Sequence, residues 1–154
     1  MSERNAVQNA YDGWGRESGF EKKSGSWYKV GDEVISVSNL QKSQYGPSYY
    51  VNQAFWLRQL GEERYPKDNK CHIRLRLGSL VGEGSARLDQ LLNMGYQMAD
   101  ADRIVELRAI LDGRLLPVIE RGSSLVGLRA LRDEGVLKAA GIRGPAQQLL
   151  DTIV

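Results

Sequence analysis

The residues richest in chemistry run from Cys71 to Leu77. Cys71, Ile73, Leu75 and Leu77 alternate with His72, Arg74 and Arg76. Successive side chains of an extended chain point to opposite faces. The apolar set is therefore expected to enter a core, leaving His72, Arg74 and Arg76 together on the other face. Guanidinium groups fork onto carboxylate or phosphate and stack on aromatic rings. The same alternation over residues 48–57 sends Val51, Phe55 and Leu57 inward and leaves Tyr50, Asn52 and Trp56 outward. Over residues 33–41 it sends Ile35 and Val37 inward and leaves Ser36 and Ser38 outward. If these outward faces align, they form a surface of hydroxyl, amide, aromatic and cationic groups, with Lys42 as a further cation. Arginine–aromatic pairs also stabilise ordinary exposed sheets. The pattern thus admits a structural face, a binding face or a catalytic one.

Catalysis is the least supported of the three. His72 is the sole histidine, and its ordinary pKa suits general base work. Nothing in the sequence pairs it with a nucleophile or an orienting carboxylate, so it reads as a hydrogen-bonded surface residue. Cys71 is the sole cysteine and sits on the expected core side, where thiols are inert. One cysteine and one histidine supply neither a disulfide nor a four-ligand zinc site. Gly78, Gly82 and Gly84 follow a strand and precede a helix, but they match neither a dinucleotide fingerprint nor a P-loop. They read as turn formers. No HExxH motif, EF-hand loop or close carboxylate pair is present. No cofactor or metal is expected.

The elements that must position these residues fall in two blocks. Val7, Ala10, Tyr11 and Trp14 have helical spacing, which predicts a helix up to about Ser18, weakened by Gly13 and Gly15 and stopped near Gly19. Four strands follow, over residues 26–30, 33–41, 48–57 and 70–77, with turns at Gly31-Asp32 and Tyr45-Gly46-Pro47 and a charged connection over residues 61–69. The remainder reads as helix. Leu88, Leu91 and Leu92 mark one over residues 85–93. Ile104, Leu107, Ile110, Leu111 and Leu115 mark another over residues 102–116, which Pro117 kinks or restarts. Ser123 or Ser124 caps a third, with Leu125, Leu128 and Leu131, that stops near Gly135. Pro145 opens a last helix running to Val154. Strands followed by helices mean an α+β fold: an N-terminal helix, an antiparallel meander of about four strands, then a C-terminal helical segment packed on the sheet.

Composition sets the outer bounds. The chain has 154 residues, the size of one ordinary domain, so a single α+β domain over residues 1–154 is expected. Its 21 basic and 19 acidic residues leave a net charge of +2, too balanced to point to nucleic acid or an anionic membrane. The excess is local: six basic residues against three acidic ones between Arg58 and Arg76. That excess fits a solvated loop or a weak anion-binding patch. Nucleic-acid binding there is the weakest option. Residues 1–5 lead into no apolar run and no stretch is long enough to span a membrane, so no membrane partner and a cytoplasmic address are expected.

Several short motifs carry a resemblance. They are Gly19-Phe20-Glu21-Lys22-Lys23 followed by Ser26-Trp27-Tyr28, then Leu40-Gln41-Lys42-Ser43-Gln44-Tyr45, Trp56-Leu57-Arg58 and Cys71-His72-Ile73-Arg74. Together they resemble the bacterial family known as domain of unknown function 4304, well over residues 19–77 and more loosely beyond. The resemblance implies a shared fold and assigns no chemical role to any residue. The function expected from the residues is a non-catalytic binding protein, with a toxin as the kind of protein partner that an immunity protein would neutralise. The site would comprise Tyr50, Asn52, Trp56, His72, Arg74 and Arg76. The alternative is an enzyme or sensor for a small phosphorylated or carboxylated ligand, held by His72, Arg74 and Arg76 with help from Lys42. The oligomeric state is left open.

Overall fold

A computed structural model describes residues 4–153. The chain begins with helix α1 (Ala6–Glu17), closed at its start by a capping box in which Asn5 and Gln8 exchange side-chain and backbone bonds. The helix runs through Gly13 and Gly15 rather than ending early. Packing explains Gly15: a Cβ there would lie 2.5 Å from the Trp27 ring, so the missing side chain lets the helix press onto the sheet.

Six strands then form one antiparallel sheet in sequence order: β1 (Glu21–Lys23), β2 (Ser26–Val30), β3 (Val34–Lys42), β4 (Tyr49–Leu57), β5 (Ile73–Arg76) and β6 (Gly141–Ile142). The meander is as expected, with two short edge strands added. β5 is shorter than expected, because a 3₁₀ turn at Asp68–Lys70 occupies its start.

The remaining helices are α2 (Gly78–Val81), α3 (Ser85–Leu92), α4 (Asp100–Ile110), α5 (Leu116–Arg121), α6 (Leu125–Asp133) and α7 (Gly144–Asp151). Pro117 restarts the helix, as its position predicts: it stands in the first turn of α5. A π-turn at Leu111–Leu115 joins α4 to α5 and absorbs the hydrogen bond that proline cannot donate. Ser124 caps α6, and Gly135, with φ of +85°, ends that region in the left-handed conformation glycine favours. The end expected for α7 at Val154 lies outside the described residues.

The helices cover one face of the sheet in two apolar clusters. Val7, Trp14, Trp27, Val51, Leu107 and Leu111 belong to the first. Phe55, Leu57, Ile73, Leu75, Leu128 and Leu150 belong to the second. Arg103 lies buried behind the first, its guanidinium donating to the carbonyls of Gln90, Leu91, Asn93 and Tyr96 at 2.5–3.0 Å. This charge fastens the turn after α3 with no carboxylate partner among the described residues.

The other face is half covered. Tyr28, Ile35, Val37, Ala54, Trp56 and Cys71 form a third cluster there, closed by Tyr65 from the β4–β5 connection. Tyr28 donates to the Pro66 carbonyl at 3.1 Å and Trp56 Nε1 to the Gly61 carbonyl at 3.0 Å. The charged connection therefore folds back over the sheet instead of standing in solvent.

Two expectations about side-chain direction are corrected here. Ile35 and Val37 pack on the second face, while Ser36 and Ser38 are buried beneath the helices. The serines tolerate burial because each has a partner: Tyr11 Oη lies 2.7 Å from Ser38 Oγ, and Gln53 Nε2 donates to Ser36 Oγ at 2.8 Å. Cys71 is buried as expected, but among Ile35 and Trp56 rather than beside Ile73.

Candidate functional site

The uncovered half of the second face is built where β3, β4 and β5 lie side by side. The register sets Asn39 opposite Asn52, Gln41 opposite Tyr50, Asn52 opposite Arg76 and Ala54 opposite Arg74. Residues opposite one another share a face, so Tyr50, Asn52, Arg74 and Arg76 do come together. Asn52 is the hub. Its Nδ2 donates to Asn39 Oδ1 at 3.0 Å and Gln41 Oε1 at 2.9 Å, and its Oδ1 accepts from Arg76 Nε at 3.3 Å. The Arg76 guanidinium also lies 4.0 Å over the Tyr50 ring, within cation–π range. Arg76 is thus held from two sides with its terminal nitrogens directed to no partner among the described residues. Among the described residues, Arg74 reaches only Asp68, at 3.5 Å. Arg74, Arg76, Asn52, Gln41, Asp68 and Ser79 line a shallow cleft of about 320 Å³.

Three expected site residues do not join this group. Trp56 is 9% and His72 7% exposed; the β4–β5 connection folds over Trp56 at Gly61, and His72 is buried against Trp56. Their rings pack together at 4.4 Å. His72 Nδ1 accepts the Leu57 amide at 2.9 Å, so the ring is neutral and its lone pair is occupied. Burial, reinforced by the Arg143 charge, pushes its pKa below the ordinary histidine value. It is a structural residue and not a surface base. Lys42 lies one register position from Gln41, hence on the opposite parity, and donates to the Gly46 carbonyl of its own hairpin at 3.2 Å. Cys71 has a thiol pushed up to about 12 by burial, which leaves it unreactive at neutral pH.

Sequence reasoning missed Asn39 and Gln41. Once β3 was given the wrong parity, they fell on the wrong face. It also missed a larger cleft of about 880 Å³ at the far end of the same face, whose carboxylates are Asp32, Glu33, Glu62 and Glu63. Its signal in the sequence was Glu62-Glu63 beside the turn at Asp32-Glu33, but only the fold brings the two together.

Among the described residues, no group of three or more histidine, cysteine or acidic side chains is placed to hold a metal. No helix among them is long and apolar enough to cross a membrane. Comparison with curated proteins and with solved structures returned no match. A family model does match, over residues 16–121, a span that includes β1 to β5 and every residue of the Asn52 network. The chain belongs to the family described as domain of unknown function (DUF4304).

Proposed function

We propose that this chain is a non-catalytic binding protein that docks an acidic protein surface on the open half of its second sheet face. The observation that carries the reading is the fixed state of Arg76, stacked on Tyr50 and tied to Asn52. A side chain already ordered loses less entropy when it meets a carboxylate. Arginine and tyrosine are also the residue types that most often anchor protein interfaces. The site offers binding groups and no reacting ones: His72 is buried and engaged, and the Cys71 thiol is protonated. A toxin-neutralising immunity role is the form of this reading we favour. Such a protein acts by occluding its target through shape and charge complementarity, which needs no reacting group.

The 320 Å³ cleft favours a second reading, a small phosphorylated or carboxylated ligand held by Arg74 and Arg76 with Ser79 at the rim. Amide chemical shifts during titration separate the two. On the first reading, a glutamate-rich peptide moves the resonances of Tyr50, Asn52, Arg74 and Arg76, and the Arg74→Gln/Arg76→Gln variant abolishes the effect. On the second, phosphorylated metabolites give saturable shifts that extend to Ser79 while the peptide does not. If neither probe moves this group of residues, both readings fail.

A further inference from the structure

The second sheet face is divided in charge. At one end Arg74 and Arg76 are exposed, and Arg143 reaches the same end by donating to the Asn69 carbonyl at 3.2 Å. Asp68 is the carboxylate paired there. At the other end Asp32, Glu33, Glu62 and Glu63 line the 880 Å³ cleft with Arg58 and Arg64. All four carboxylates are exposed, and none has a cation within ion-pair distance among the described residues; Glu33 accepts the Leu125 amide at the start of α6 at 3.2 Å, which leaves Asp32, Glu62 and Glu63 to face a visitor. The two arginines of that cleft are engaged elsewhere. Arg58 donates to the Gly31 carbonyl at 2.6 Å, and Arg64 lies 5.6 Å over the Tyr65 ring.

Within one copy the two ends stay apart: among the described residues, no carboxylate of the acidic cleft lies within ion-pair distance of Arg74 or Arg76. A two-fold axis between the ends removes the separation. Rotation by that axis lays the basic end of each copy on the acidic end of the other, and satisfies both contacts at once. We propose that a second copy of this chain occupies the face when no other partner does, through this antiparallel two-fold pairing. The proposal shares the face with the reading above but not its acidic partner, so each can fail alone.

Sedimentation velocity of the full chain over a concentration series tests the pairing. The expected result is a monomer–dimer equilibrium at low salt whose association constant falls at least about tenfold at high salt, since exposed charges are screened. Arg74→Glu/Arg76→Glu and Glu62→Arg/Glu63→Arg change exposed positions only. Each variant alone is expected to be monomeric with an unchanged far-UV spectrum. Mixed in equal amounts, they are expected to form a heterodimer, because the doubly acidic face of one then meets the doubly basic face of the other. A chain that stays monomeric throughout, a dimer indifferent to salt and to both reversals, or a mixture that fails to associate would overturn the proposal. A monomer that still shifts with the acidic peptide keeps the earlier reading and loses this one. A dimer unmoved by the peptide does the reverse.

Discussion

Single residues decide both what this site contains and what it excludes. His72 illustrates the second. Its Nδ1 must be unprotonated to accept the Leu57 amide, and burial holds its pKa below the unfolded value. As pH falls through about 6.5, the unfolded chain takes up a proton that the folded chain refuses. Stability is therefore fully present above that pH and declines toward the depressed folded pKa. Because the sequence has no other histidine, the difference in urea midpoint between this chain and a His72 variant, followed from about pH 8 to pH 5, isolates this group. The His72→Asn variant, which keeps an acceptor near Leu57, should lose that decline. An unchanged pH profile in the variant would refute the assignment. Gly15 gives a second residue-level test. Gly15→Ala forces a Cβ to 2.5 Å from Trp27 and should cost about 1–3 kcal/mol, the range for overpacking. Gly13→Ala in the same helix meets only the end of Arg108, at 3.4 Å, and should stabilise by roughly 0.5–1 kcal/mol. Thermal unfolding of the pair must move in opposite directions.

At the scale of elements, the sequence showed most where one period ruled a segment and least where two faces were buried at once. β5 alternates strictly from Ile73 to Arg76, and the faces read for those four residues held; β2 and β4 were legible in their bounds to within a residue, although β4 is buried at both parities from Gln53 to Leu57. β3 is buried at both parities, from Val34 through Ser38, so alternation could not choose a face. The serines misled because the expected polar-out rule ignores partners such as Tyr11 and Gln53. β1 is three charged residues and β6 two residues, too short to show any period. The β4–β5 connection was read as solvated because of its charge, yet Tyr65 makes it a cover. Tyr65 stands edge-on to Tyr28 at 5.2 Å, donates to Glu21 at 2.9 Å and lies under Lys23. Tyr65→Ala should therefore cost about 1.5–2.5 kcal/mol, half the usual loss for a fully buried aromatic ring. It should also raise acrylamide quenching of tryptophan fluorescence, since Trp56 lies beneath the cover. Tyr45→Ala, at a position 89% exposed, should change neither. Equal effects from the two variants would show that the connection is not a lid.

For the whole molecule, the question is how much chain the sheet needs. The family match ends at residue 121, just where α5 ends. The structure does not stop there. Beyond it, Leu125, Leu128, Leu131, Leu137 and Leu150 are each at most 5% exposed and belong to the cluster that covers Phe55, Leu57, Ile73 and Leu75. Five such side chains, at about 1.5–3 kcal/mol each, account for roughly 7–15 kcal/mol of burial. That matches the whole stability of an ordinary domain, about 5–15 kcal/mol. β6 adds the last strand beside β5, and the Arg143 amide bonds the His72 carbonyl. The strand that carries Arg74 and Arg76 is therefore held from outside the matched region. A chain ending at Arg121 should fail to fold: its far-UV spectrum should lack the native signal, its amide resonances should collapse to the unfolded range, and it should precipitate near neutral pH. Folding of that shorter chain with native-like dispersion would mean that the helical tail is an appendage and that the binding face stands without it.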